Sequence, residues 1–253
     1  MEPGEKYPGE FAKWSEEDWL DFRVPEGEES VKIWTYREKV KTGKPRAVIV
    51  LNHGLNSHSG SFGLIAQKLA EAGLEAVAMD IRCYGKSKGI KRGQYNSTDT
   101  LISDNVKFVE RVRDEYPSIP LFVLGASLGG YISLRTSLAC PFIAGMILLV
   151  PAVQPIPQFF TKPLIKNFFI SISGLVSWLP VPEGKATNLW ARIEAVYEND
   201  INDPLFYRGG LIFGTGQAIV TGMDRLHENL GLVKSPMIVF RAGVEYMVNN
   251  EAI

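Results

Sequence analysis

The stretch Val123–Gly130, VLGASLGG, holds the residues of this chain best suited to chemistry. An apolar run ends in Gly-Ala-Ser-Leu-Gly, a spacing that lifts a serine onto a sharp strand-to-helix turn. Once a base takes its proton, a serine hydroxyl attacks carbonyl carbon, and the result is acyl transfer. Gly125 and Gly129 suit such a turn, because a residue held at positive φ needs neighbours whose side chains do not intrude. The plainer alternative is a tight turn in which Ser127 only caps the following helix.

A second constellation, NHGLNSHSG, spans Asn52 to Gly60. A strand runs into a glycine turn there, and such a turn aims a backbone N–H at a developing oxyanion. The expected donors are the N–H groups of Leu55 and of Leu128, the residue after the serine. His53 and Gly54 are read as orienting this loop, and His58 as a loop residue. On folds with this serine turn the base is a histidine that follows the serine and the acid in chain order. The sequence has three histidines, and none lies beyond His227.

Other motifs fail on spacing. Gly85-Lys86-Ser87 would need a glycine at position 80 to form a phosphate loop, and Asp80 stands there. Gly214-Thr215-Gly216 lacks a third glycine in place and follows no strand, so it is no dinucleotide fingerprint. Cys83 and Cys140 form no metal or redox motif and read as reduced thiols. No metal and no cofactor is expected.

The elements that position these residues follow from periodicity. SVKIWTYREK alternates as an early antiparallel strand. RAVIVLNHG, LEAVAMDIR, PLFVLGAS, IAGMILLVPA and SPMIVFRAGVE read as buried strands. Between them, SFGLIAQKLAEAG places Phe62, Ile65, Leu69 and Ala72 on one helical face and stops at Gly73. STDTLISDNVKFVERVRDEYP spaces Ile102, Val106, Val109 and Val112 as a helix that ends before Pro117. Apolar strands alternating with helices predict an α/β fold with a mostly parallel, doubly wound sheet. The expected division is an extension over 1–20, a core over 21–154 and 228–253, and a largely helical cap over 155–227. The aromatics Phe159, Phe160, Phe168, Phe169 and Trp178 form either the inner face of that cap or a lipid-facing lid.

Composition narrows the class. The 253 residues are 45% hydrophobic and 22% charged, with net charge −1 from 27 basic and 28 acidic side chains. That balance is globular and argues against a nucleic-acid partner. The acidic, proline-containing start lacks a signal-peptide core, and prolines break the longest uncharged run, Thr136 to Thr161. The expected location is cytoplasmic, peripheral to a membrane or within an intracellular assembly.

Taken in order, LNHGLNSHSGSF, DIRCYGKSKG, EYPSIPLFVLGASLGG, AGMILLVPA and INDPLFYRGGL resemble the monoacylglycerol lipase group of α/β-hydrolases, from about residue 46 to about 247. The resemblance implies an α/β-hydrolase fold of eight strands with a cap inserted after the sixth. It also implies cofactor-free cleavage of acylglycerols or lysophospholipids, with Ser127 as nucleophile and the Leu55 and Leu128 N–H groups as oxyanion donors. Ala126 stands where the group commonly has histidine. Glu245 stands in or beside the place of the group's aspartate and is the candidate acid. The group's histidine lies past the last strand, and Ile253 precedes an eighth strand and last helix. The expectation is therefore a histidine from a longer chain or a partner, or else a catalytically inactive subunit whose partner protein covers the seventh-strand edge. A lipid ester or bound lipid, and a membrane surface met by the cap, complete the expected partners.

Overall fold

The computed structural model describes residues 12–22, 31–154, 163–181, 198–200, 202–243 and 248–249. Its strands are β1 (Glu16–Phe22), β2 (Val31–Glu38), β3 (Ala47–Asn52), β4 (Leu74–Met79), β5 (Leu121–Ala126), β6 (Gly145–Leu149) and β7 (Met237–Phe240). They form one sheet in the order β1-β2-β4-β3-β5-β6-β7. β1 and β2 join antiparallel, and the pairs from β4 to β7 are parallel. The helices are α1 (Gly63–Glu71), α2 (Thr98–Glu115), α3 (Leu128–Ala139), α4 (Pro163–Leu175) and α5 (Phe213–Asn229).

Every residue of β3 is buried. Such a strand needs cover on both faces, and two apolar layers supply it. Val48 and Val50 face Phe108, Val109, Ile132 and Leu226 of α2, α3 and α5. Ala47, Ile49 and Leu51 face Phe62, Ala66 and Trp14. β4, Leu74–Met79, divides the same way, Val77 and Met79 to the first layer and Ala76 and Ala78 to the second. Helix ends follow the sequence signals: Ser97 Oγ accepts the Asp99 N–H at the start of α2, and Gly73, at φ +77°, stops α1.

Two expectations change. The segment read as an extension contributes β1 from Glu16 onward. Its first residues are acidic and exposed, and only Phe22 is buried, so it carries almost no apolar alternation to read. In α1 Gly63, Ala66 and Ala70 are buried and Leu69 is half-buried against the same layer as Phe62, while Ile65 and the following Ala72 are exposed. The inward face therefore keeps Phe62 and Leu69 and takes in Ala66 and Ala70 in place of Ile65 and Ala72.

A buried polar network lies between β3, α2 and α3. Asn52 and Asn105, both essentially inaccessible, exchange amide hydrogen bonds of 2.7 and 3.4 Å. Asn52 Nδ2 also donates to Ser133 Oγ, and Thr136 Oγ1 donates to Asn105 Oδ1. Ser133 Oγ in turn donates to the Gly129 carbonyl. Asn105→Ala leaves the Asn52 amide and the Thr136 hydroxyl short of partners. It should cost about 2 kcal/mol, read as a lower midpoint in chemical denaturation.

Candidate active site

Ser127 follows β5 and precedes the first residue of α3. Its backbone sits at φ 50°, ψ −115°, a region that side chains rarely enter and that costs on the order of 1–3 kcal/mol. The carbonyl of Leu149 accepts its N–H at 2.9 Å. Its own carbonyl accepts the N–H groups of Gly130, Tyr131 and Ala152 at 2.9, 3.2 and 3.0 Å. Its hydroxyl makes no helix-capping bond, which removes the plainer reading of the motif. Strain gathers around it, since Val150, just beyond β6, is held at φ 47° and Asn56 at φ 65°.

The glycines of the motif are required by close approach. A Cβ on Gly129 would stand 2.0 Å from the Asn52 carbonyl oxygen, and one on Gly125 2.4 Å from that of Gly129. Backbone thus lies against backbone where α3 meets β3.

The glycine loop converges on the same point. A Cβ on Gly54 would lie 3.5 Å from both the Ala126 oxygen and the Ser127 Cβ. The Leu55 and Leu128 N–H groups donate to no acceptor among the described residues. For Leu128 this follows from its place at the start of α3, where N–H groups have no partner one turn earlier. The two expected donors therefore stand beside Ser127, Leu128 at the start of α3 and Leu55 on the loop next to Gly54.

His53 is fully buried and holds this loop. The Ile81 N–H donates to its Nε2 at 2.8 Å, so the proton sits on Nδ1, which donates to the Gly54 carbonyl at 2.8 Å. Burial pushes its pKa down to about 3. With both nitrogens committed to backbone, His53 has no lone pair to offer the Ser127 proton.

His58 does more than the sequence suggested. Gly60 N–H donates to its Nδ1 at 3.1 Å, which leaves the proton on Nε2 facing Asp203 Oδ2 at 2.5 Å. Burial alone would raise the Asp203 carboxyl, but the bonds from His58 and from the Leu205 N–H outweigh it and hold it below its ordinary range. Tyr207 N–H also donates to the Asn56 carbonyl at 2.8 Å. The segment before α5 is thereby fastened to the loop carrying Leu55. Beneath lies buried Asp80, which accepts from the Ser59 and Lys86 N–H groups and the Tyr36 hydroxyl. Its carboxyl is raised by burial.

Glu245 lies outside the described residues, as do Phe159 and Phe160. His227 is exposed near the end of α5. The remaining aromatics divide. The Phe169 ring packs 5.5 Å from that of Phe213, whereas Phe168 and Trp178 point outward.

Two outcomes follow. Gly129→Ala forces backbone apart at the Ser127 turn and should cost at least about 1–3 kcal/mol, seen as a lower melting temperature. Protonation of His53 favours the unfolded chain, because its folded pKa of about 3 lies below the ordinary value of 6.5. Stability from this group is complete above about pH 6.5 and falls by up to about 1.4 kcal/mol per pH unit as pH drops toward 3. Denaturation midpoints across that window, compared with His53→Asn, measure the component.

The family model described as "Serine aminopeptidase, S33" (Hydrolase_4) matches residues 43–253. Human monoglyceride lipase is 26% identical over 213 residues, covering 83% of this chain and 69% of that protein. Monoacylglycerol lipase of Mycolicibacterium smegmatis is 26% identical over 207 residues, or 81% and 72%. Among solved structures, a soluble variant of Saccharomyces cerevisiae monoglyceride lipase with a substrate analog superposes with a TM-score of 0.76 at 17% identity, covering 94% of this chain and 80% of that one. Paleococcus ferrophilus monoacylglycerol lipase gives 0.65 at 26% identity, covering 81% and 76%. With the sheet order, the strained serine turn and these matches together, the chain belongs to the Hydrolase_4 family of α/β-hydrolases and is monoacylglycerol lipase-like within it.

Proposed function

We propose that this protein is a serine hydrolase that cleaves carboxylic esters of acylglycerols or lysophospholipids. The observation that carries the reading is Ser127, strained, uncapped and flanked by two N–H groups that donate to no acceptor among the described residues. Ser127 Oγ attacks the ester carbonyl, and the Leu55 and Leu128 N–H groups hold the oxyanion. Collapse releases the alcohol and leaves an acyl-serine, which water hydrolyses to the free acid. His53 and Gly54 fix the donor loop. All three histidines of the sequence are committed to backbone, paired with Asp203 or exposed near the end of α5. The reading therefore calls on a histidine from outside these 253 residues, with Glu245 as the acid that orients it.

The region between β6 and β7 is read as the cap, and α4 as the part that meets the lipid surface. Leu164, Phe168 and Leu175 are 86%, 68% and 75% exposed. Their spacing places them on one helical face, with exposed Trp178 just beyond. The opposite face, through Phe169, packs on α5, Phe213–Asn229. No helix among the described residues is long and apolar enough to cross a membrane, so this face suits docking on a surface.

One observation favours a second reading, an inactive subunit with a structural role. Among the described residues β7 is the outermost strand on its side of the sheet, and its Ile238 and Phe240 are 60% and 55% exposed. Burying what remains exposed of these two side chains would contribute about half of the 1.5–3 kcal/mol of full burial each, which a partner protein covering them would gain.

A fluorophosphonate probe applied to the native protein separates the two. The hydrolase reading expects a covalent adduct on Ser127 that Ser127→Ala abolishes. A folded native protein that takes up no probe and holds a partner on β7 supports the subunit instead.

A further inference from the structure

A cleft lies between the β1–β2 edge and the loop after β4, and the residues assigned to the Ser127 chemistry do not line it. It encloses about 580 Å³ and is lined by Trp19, Trp34, Lys86, Lys88 and Arg92 among others. Neither Ser127 nor any residue of the Gly54–His58 loop lines it.

Trp19 and Trp34 are directly opposed across β1 and β2 and meet edge to face, with ring centroids 4.8 Å apart. The Lys86 ammonium sits 4.5 Å from the Trp34 ring centroid and the Lys88 ammonium 5.6 Å from that of Trp19. Stacking on a ring holds a lysine head in place without neutralising it. Glu17 offsets Lys86 at 2.5 Å. Lys88 and Arg92 pair with no carboxylate among the described residues. The Arg92 guanidinium instead donates to the neutral carbonyls of Pro204 and Leu205 at 3.3 and 2.7 Å, so it is oriented while keeping its full charge. This concentration is local, for the chain as a whole carries −1.

We propose that this cleft binds a phosphate ester. Two uncompensated cations at one opening, beside a third that is shared, suit a group with several anionic oxygens better than a single carboxylate. The volume exceeds what bare phosphate fills, and the tryptophan wall offers apolar contact to the carbon skeleton of an ester. A soluble glycerol phosphate and the headgroup of an anionic phospholipid share this chemistry.

The test titrates the native chain calorimetrically with glycerol 3-phosphate, using glycerol as blank. In parallel, the chain is co-sedimented with phosphatidylcholine vesicles with and without phosphatidylglycerol. Only the increment due to phosphatidylglycerol is counted, which removes any attachment through α4. The expected result is saturable binding to at least one phosphate source, weakened by added salt. Lys88→Glu should weaken it roughly tenfold or more, with the melting temperature lowered by no more than about 4 °C, since Lys88 is exposed and loses only its contact with the Trp19 ring. Binding to the soluble ester alone assigns a free metabolite, and a Lys88-dependent vesicle increment alone assigns a lipid headgroup. Arg92→Gln, also at an exposed position, is the second variant. The proposal is overturned if neither source binds, or if both variants bind as well as the native chain.

Discussion

The structure depends on one strained residue held from every side. Ser127 occupies a backbone region that most side chains avoid, and the surrounding fold over-determines it. Its N–H is pinned to the end of β6, and its carbonyl takes three N–H groups from α3 and from the segment after β6. The turn closes only because Gly125 and Gly129 let backbone meet backbone, within 2.0 Å of where a Cβ on Gly129 would stand. A cost of on the order of 1–3 kcal/mol is sustained by a sheet whose central strand is buried throughout. The strain also explains why the hydroxyl is left uncapped at the head of a helix, a place where serine usually satisfies N–H groups.

Around that point, rigidity comes from buried polar side chains hydrogen-bonded to backbone and to one another. His53 is a neutral clamp, with one nitrogen accepting and the other donating to backbone. Asn52 and Asn105 lock the strand carrying the donor loop to two helices. His58 with Asp203 and Asn56 with Tyr207 fasten the segment before α5 to the same loop. Such groups are costly when unpaired and specific when paired. They hold the Leu55 and Leu128 N–H groups near Ser127 without spending either one.

Much of this was legible in the sequence where the signal is local. The serine turn, the glycine loop and the strand–helix alternation lie within short windows, and the structure places them as a mostly parallel sheet with helices on both faces. His53 reads in sequence as orienting the loop, and its two hydrogen bonds run to the backbone of Gly54 and Ile81. The pairing of His58 with Asp203 spans 145 residues, and no short-range pattern announces it. In sequence Asp80 shows only as the residue that breaks a phosphate-loop spacing, because its role as a hub needs three separate segments. β1 was missed because its exposed acidic residues hide the alternation, and on α1 Ala66 and Ala70 were passed over for Ile65 and Ala72 because alanines carry a weak apolar signal. The tryptophan–lysine cleft arises only when β1 meets the loop after β4.

The central claim is that the constrained turn makes Ser127 a working nucleophile toward lipid esters. Turnover tests it most directly: native protein is incubated with monoacylglycerols and lysophospholipids, and free fatty acid is quantified by chromatography against a Ser127→Ala background. The account predicts fatty acid release that depends on Ser127. Release no greater than the Ser127→Ala background from the folded native protein, across both ester classes, would contradict it.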